Sequence, residues 1–174
     1  MKAALKAGIV AYVPQAEEVD WNFPVLVEDV VMMGRYGQMN FLRMPRAADH
    51  AAVEAALERV EMTAFRKRQI GELSGGQRKR VFLARALAQD SRVILLDEPA
   101  AGVNPALLEV IMERVVALNA EGKSILLIEH NMDMVSRLCS RVVAMALGKL
   151  LAEGAPADVA ANPAVIEAYL GGGA

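Results

Sequence analysis

Two acidic residues are well placed in this 174-residue sequence to do chemistry. Asp97 and Glu98 directly follow an apolar run, residues 93–96, which is typical of a buried strand. In open α/β sheets, ligands bind at the carboxyl ends of the strands. Asp97 could hold Mg²⁺, which prefers oxygen ligands, and Glu98 could polarise a water molecule as a general base. By itself, such a pair could also be only a helix cap.

A second candidate site is a glycine pair that precedes a basic helix, residues 77–88. Two glycines allow a backbone to approach a phosphate closely, and the following helix offers unpaired N–H groups and the positive end of its dipole. The hydroxyl of Ser74 could add a donor. An isolated Ser-Gly-Gly is more often a loop that caps a helix, but here one helix separates it from Asp97. The motif consists of Leu73, Ser74, Gly75, Gly76 and Gln77.

The elements that must position these residues alternate between strand and helix. Buried strands are predicted at residues 8–13, 93–96 and 124–128, and Gln15 and His130 follow the first and the last of them. Helices are predicted at residues 25–33, 47–62, 77–88, 105–121, 132–138 and 156–170, and a hairpin turning at Gly148 at residues 142–152. This alternation predicts an α/β fold with a mainly parallel sheet. Four polar groups should then meet at one edge of the sheet.

From residue 8 to residue 170, these motifs together resemble the ATPase subunits of ABC transporters. By this resemblance, Gln15 is the Q-loop glutamine, which senses Mg²⁺, water and the membrane subunit. Residues 73–77 are the signature motif, and residues 100–104 occupy the D-loop position. Asp97 and Glu98 form the Walker B pair, and His130 is the switch histidine that contacts the γ-phosphate.

The resemblance implies a fold, cofactors and partners. The fold would be an incomplete P-loop NTPase core, a mainly parallel sheet with a helical subdomain, in one partial domain spanning residues 1–174. Residues 16–88 would hold the Q-loop and helical subdomain, residues 89–154 the Walker B and switch-histidine core, and residues 155–174 a C-terminal helix and tail. The cofactors would be ATP and Mg²⁺. The partners would be a second ATPase subunit, which sandwiches ATP, and membrane permease subunits on the inner face of the cell membrane.

The family's N-terminal β-subdomain and its Walker A strand, loop and helix should all precede Gln15, and only fourteen residues do. Gly122-Lys123-Ser124 looks similar to a Walker A loop, but it connects a helix to a strand, the reverse of the required order. Without that loop the sequence has no cradle of N–H groups for the phosphates. The chain alone is therefore expected to be inactive and weakly stable, with an open slot beside residues 142–146.

The resemblance also divides along the chain. Residues 11–15 and 17–34 look like the ATPases of manganese, zinc or iron importers, whereas residues 99–105, 128–132 and 163–170 look like those of branched-chain amino-acid importers. One hypothesis is a chimera with its crossover within residues 95–99. The predicted function is ATP-driven import of metal ions or branched-chain amino acids. The alternatives are a catalytically silent partner, which supplies its signature motif in trans, and a non-functional fragment.

Composition excludes several classes of function. Nineteen basic residues stand against 21 acidic ones, giving a formal net charge of −2, which argues against a nucleic-acid binder. The single cysteine, Cys139, permits no intrachain disulfide and is predicted to be a core thiol. No apolar run approaches the length of a membrane span and the first residues do not form a signal peptide, so a cytoplasmic protein is expected. His50 is predicted to lie on the surface.

Overall fold

The computed structural model describes residues 9–15 and 24–170. The chain divides into two compact units, Met1–Ile128 and Glu129–Ala174. The first unit contains, in chain order, β1 (Val10–Val13), α1 (Val27–Met32), α2 (Ala47–Arg59), α3 (Gly75–Ala88), β2 (Val93–Asp97), α4 (Pro105–Ala120) and β3 (Ser124–Ile128). The second contains α5 (Met132–Leu138), β4 (Val142–Ala146), β5 (Lys149–Gly154), α6 (Pro156–Ala160) and α7 (Pro163–Leu170).

The predicted parallel sheet is confirmed in the first unit. Its strands lie in the order β1, β2, β3, with Val13 opposite Leu96 and Asp97 opposite Ile128. The central strand is buried, but the prediction of a buried β3 was wrong, since Leu126 and Ile128 are about half exposed (56% and 49%). Within the described part of the sheet, β3 pairs with β2 alone and forms an edge, and an edge strand keeps much of its surface open to water.

A layer of three helices packs beside this sheet. α1, α2 and α3 contact one another through an apolar core that includes Val27, Val31, Leu57, Ile70 and Val81, all fully buried. The predicted apolar face of residues 47–62 is confirmed, because Val53, Ala56, Leu57 and Val60 are buried while His50 is exposed. This packing holds α3, which begins at the glycine motif.

An ion pair between Arg35, which is partly buried, and Asp49, which is buried, attaches the turn that follows α1 to helix α2. The Nε atom of Arg35 donates to Oδ1 of Asp49 at 3.0 Å, and Nη1 of Arg35 donates to the carbonyl of Ala88 at 2.9 Å. The backbone N–H of Arg46 donates to Oδ2 of Asp49 at 3.0 Å. This backbone hydrogen bond and the one from Arg35 lower the pKa of Asp49, against the opposing effect of burial. A charged Asp49 therefore connects all three helices.

The second unit is a β-hairpin covered by short helices. β4 and β5 pair in antiparallel fashion, and Ala144, Val159 and Val165 form a small core against them. The prediction of one helix over residues 156–170 was wrong. Two helices form instead, because Pro163 begins α7 and the side chain of Asn162 accepts from the N–H of Ala164 at 2.9 Å.

Cys139, predicted to be a core thiol, is only half-buried in this second unit. Even partial burial disfavours the charged thiolate, so burial raises the pKa of the Cys139 thiol. The thiol should consequently be a poor nucleophile at neutral pH.

The hairpin turn offers a clear stability test. Leu147 (φ 50°) and Gly148 (φ 75°) both adopt left-handed conformations, as a two-residue type I′ turn requires, and the Leu147 side chain is fully exposed. Leu147→Asn should stabilise the chain by about 0.5–1 kcal/mol, because asparagine tolerates this conformation better than leucine and no contact is lost. Urea denaturation of the two proteins would measure the change. A less stable variant would show that the turn adopts another geometry.

Candidate functional site

The carboxyl ends of β1 and β2 bring together three of the predicted site residues. Gln15 lies two residues beyond β1, Asp97 ends β2 and Glu98 follows it. The side-chain amide of Gln15 donates a short hydrogen bond from Nε2 to Oε2 of Glu98. The predicted convergence of polar groups at this edge is therefore observed for Gln15, Asp97 and Glu98.

Tyr12 belongs to the same cluster, although the sequence analysis missed it. Its hydroxyl donates to Oδ2 of Asp97 at 2.7 Å and so holds one oxygen of that carboxylate. Tyr12 and Asp97 are 85 positions apart in the sequence. Only the register of the parallel strands, with Tyr12 opposite Leu95, brings them together.

Glu98 has an unusual backbone conformation. Its φ of 47° lies in the left-handed region, which costs a residue with a side chain about 1–2 kcal/mol. Two hydrogen bonds hold it there: its N–H donates to the carbonyl of Ile128 at 2.8 Å, and its carbonyl accepts from the N–H of Ala101 at 3.0 Å. The strained backbone aims the carboxylate at Gln15, and strain of this kind is common at functional sites.

The glycine motif forms the N-terminus of α3. The N–H of Gln77 donates to Oγ of Ser74 at 3.3 Å, and the N–H of Ser74 donates to Oε1 of Gln77 at 2.9 Å. This reciprocal arrangement is a capping box, so the motif does cap a basic helix. Leu73 is buried beneath it and anchors the turn.

The two glycines of the motif have different surroundings. A Cβ atom added to Gly76 would lie 1.8 Å from Cδ2 of Leu107, so this glycine lets α3 approach α4. A Cβ atom added to Gly75 would meet no atom within 4 Å. Gly76 therefore serves packing, whereas the face of Gly75 is open to a ligand or a partner.

A cavity of about 290 Å³ connects the motif with the strand ends. Gln15, Gly75 and Asp97 line it, together with Lys79 and apolar side chains such as Leu96. The Nζ atom of Lys79 donates to the carbonyl of Pro99 at 3.1 Å and also to that of Ala101. Lys79, which the sequence placed only within the basic helix after the glycine pair, thereby ties α3 to the D-loop position, residues 100–104.

His130 belongs to the second unit. Oε2 of Glu129 accepts from the N–H groups of His130 and Asn131 at 2.9 and 3.0 Å, and the side chain of Asn131 caps α5 through the N–H of Met134 at 3.0 Å. His130 lines a cavity within that unit, together with Val142 and Tyr169. The local geometry thus fixes the loop that carries His130.

The cluster at the strand ends is compatible with Mg²⁺. Among residues 9–15 and 24–170, no group of three or more His, Cys, Asp or Glu side chains could enclose a metal ion. Mg²⁺ does not need such a group, because it usually retains several waters and binds one or two carboxylates plus the phosphates of a substrate. Asp97, with one oxygen held by Tyr12, fits that pattern.

Comparison with known proteins decides the family. Residues 3–101, more than half of the chain, match a family model described as ABC transporter. The chain belongs to the ABC transporter family. Residues 149–174 of this ABC chain match a second model, described as branched-chain amino acid ATP-binding cassette transporter. The sequence-based assignment to the family is confirmed. The predicted resemblance of residues 163–170 to the ATPases of branched-chain amino-acid importers is also confirmed.

Relatives of the ABC chain belong to metal transport systems. It is 59% identical over 140 residues to the chelated iron transport system membrane protein YfeB of Yersinia pestis, covering 80% of the chain and 47% of the relative. It is 54% identical over 143 residues to the manganese transport system ATP-binding protein MntA of Synechocystis, covering 82% of the chain and 55% of the relative. The chain spans about half the length of these curated relatives.

Solved structures confirm the fold. An ATP-binding cassette of an ABC transporter in its ADP conformation superposes with a TM-score of 0.82 at 28% identity, over 97% of the ABC chain and 71% of that chain. A metal-chelate type ABC transporter in an inward-facing conformation gives a TM-score of 0.84 at 24% identity. The match covers 92% of the ABC chain and 64% of the transporter chain. The predicted α/β core with a parallel sheet and a helical layer is therefore correct. None of the helices that the structure describes has the length and apolarity to span a membrane.

Proposed function

We propose that this chain is part of the ATP-binding subunit of an ABC importer for metal ions, in which ATP hydrolysis drives transport. The observation that carries the proposal is the pairing at the strand ends, where Gln15 holds the carboxylate of Glu98 beside Asp97. A general base must be oriented before it can act, and this hydrogen bond orients one. The metal-transport names of its relatives support the choice of cargo.

Each residue of the cluster has a role in this proposal. Asp97 would hold Mg²⁺ by its carboxylate, and Glu98 would accept a proton from the attacking water. Gln15 orients Glu98. His130, in the second unit, has the role of switch histidine by its resemblance to the family. Mg²⁺, when bound, would offset the negative charge of the phosphates. Tyr12 fixes the Asp97 carboxylate by its hydrogen bond.

The signature motif acts on the ATP of a second subunit. Ser74 is exposed, and the open face of Gly75 leaves room for a phosphate group brought by another chain. Lys79 connects this motif to the segment after Glu98, so movement of one should move the other. The second subunit and the membrane permease subunits are the proposed partners, and the complex would lie on the cytoplasmic face of the membrane.

Two similarities bear on the cargo. Residues 149–174 match a branched-chain amino-acid model, whereas the relatives described above are metal transport proteins. We favour metal ions because that similarity extends over about four fifths of the chain. Membrane and binding subunits largely select the cargo, so metal uptake by the reconstituted transporter would decide it.

Calorimetry with Mg-ATP tests the nucleotide site. The 174-residue chain alone should bind Mg-ATP with a dissociation constant above about 1 mM, because these residues include no glycine-rich loop to hold the β- and γ-phosphates. Joining it behind the part of YfeB that precedes the matched region should restore binding in the micromolar range, about 100-fold tighter or more. Micromolar binding by the chain alone would show that other groups hold the phosphates.

A further inference from the structure

The side chain of Lys79 grips the turn that follows Glu98. Its Nζ atom lies on the carbonyl of Pro99 at 3.1 Å and also on that of Ala101, in a partly buried setting. An ammonium group carries three donors, so one lysine can hold two carbonyls at once. Hydrogen bonds from a charged donor are stronger than neutral ones. Lys79, which belongs to α3, therefore fixes two peptide groups directly after Glu98.

The same turn holds the backbone of Glu98. The N–H of Ala101 donates to the carbonyl of Glu98 at 3.0 Å, and the N–H of Glu98 donates to the carbonyl of Ile128 at 2.8 Å. The φ of Glu98, 47°, is unfavourable for a residue with a side chain, so it persists only while the surrounding structure imposes it. Lys79 is part of that surrounding structure, because it holds the residue whose N–H binds Glu98.

The placement of this backbone determines where the Glu98 carboxylate lies. At the tip of the side chain, Oε2 of Glu98 accepts a short hydrogen bond from Nε2 of Gln15. Gln15 therefore holds the tip, whereas the turn holds the base of the side chain. A displacement of about 1 Å in a reacting group can lower a rate by about 100-fold. Release of the turn should consequently disturb the carboxylate even with Gln15 in place.

We propose that Lys79 is a positioning residue for Glu98, which it keeps in its left-handed conformation by holding the carbonyls of Pro99 and Ala101. The proposal rests on the proposed function, since it takes Glu98 as the general base. Because Lys79 acts through the turn, its loss should slow the chemical step without weakening ATP binding. A lysine with only a structural role would lower stability and leave the turnover of the folded protein unchanged.

Steady-state kinetics of the chain completed with the preceding part of YfeB test this role. Lys79→Met, which keeps an unbranched side chain but has no N–H donor, should lower kcat by about tenfold and change KM by less than about twofold. Lys79→Arg keeps the positive charge and the donors, and should return kcat to within about threefold of the parent. Lys123→Met is the matched control, because Nζ of Lys123 donates instead to Oδ1 of Asp90 at 2.7 Å. This control should keep the kcat of the parent.

A double variant tests whether Lys79 acts through Glu98. In a Glu98→Gln background, Lys79→Met should change the residual turnover by less than about twofold, because a base that has been removed cannot be misplaced. A tenfold loss in both backgrounds would overturn the proposal, as would an unchanged kcat in Lys79→Met while Glu98→Gln is impaired. Full turnover in Glu98→Gln would instead overturn the proposed role of Glu98, and this proposal with it.

Hydrogen exchange of the 174-residue chain gives a readout that needs no nucleotide. The N–H of Ala101 should exchange about tenfold faster in Lys79→Met than in the parent, since its acceptor belongs to the turn that Lys79 holds. In Lys123→Met it should exchange at the parent rate. Equal rates in the parent and in Lys79→Met would show that Lys79 does not hold the turn, and would overturn the proposal whatever the kinetics.

Discussion

Glu98→Gln should lower ATP turnover by about 100-fold or more in the chain completed with the preceding part of YfeB, since a positioned general base contributes about 10²–10⁴-fold. Glutamine keeps the size and shape of the side chain but cannot accept the proton of the attacking water. ATP binding should change by less than about threefold, because Glu98 acts on the water and not on the phosphates. Phosphate release would measure turnover, and calorimetry would measure binding.

The matched control for this experiment is Glu121→Gln. Glu121 is an exposed residue after α4 whose carboxylate pairs with Arg59 at 3.0 Å. It precedes the amino end of β3, whereas Glu98 follows the carboxyl end of the parallel strand β2. This variant should turn over ATP at the rate of the completed chain, because an exposed ion pair contributes little. A loss of less than about tenfold in Glu98→Gln would show that another group accepts the proton. In that case the hydrogen bond between Gln15 and Glu98 would have only a structural role.

Gly34→Ala should destabilise the chain by about 2 kcal/mol, within the range for overpacked sites. A Cβ atom at Gly34 would lie 2.2 Å from the carbonyl oxygen of Arg85 and 3.2 Å from its carbonyl carbon. Both are backbone atoms of α3 and cannot rotate away as a side chain would. The substitution must therefore push the turn after α1 away from the helix that carries the signature motif. Urea denaturation followed by circular dichroism would measure the loss.

Gly37→Ala provides the comparison three residues away. A Cβ atom at Gly37 would meet nothing within 4 Å, so this variant should differ from the parent by about 0.5 kcal/mol or less. If the two variants were equally stable, the close approach of Gly34 to α3 would not exist in solution. A greater loss in Gly37→Ala would mean that general loop flexibility, and not packing, governs this segment.

Periodicity in the sequence predicted most elements because burial imposes it. Residues 93–96 are uniformly apolar and form the central strand, and the apolar face of residues 47–62 packs in the helical layer. The same reasoning failed for residues 124–128 and 156–170. An apolar run does not show whether a strand lies at a sheet edge. The helical pattern of residues 156–170 hides a break at Pro163, although proline favours the first position of a helix.

The sequence by itself determined the family and the types of residue that could act, because motifs such as residues 73–77 and Asp97-Glu98 are local in the chain. Tertiary structure decided which groups meet. Strand register places Tyr12 against Asp97 and Gln15 against Glu98, more than 80 positions apart, and helix packing places Lys79 on the carbonyl of Pro99. It also gave the two glycines of the motif different roles, since only packing shows that Gly76 faces Leu107 and Gly75 faces open space. Contacts between distant segments depend on how whole elements pack, and no local pattern encodes them.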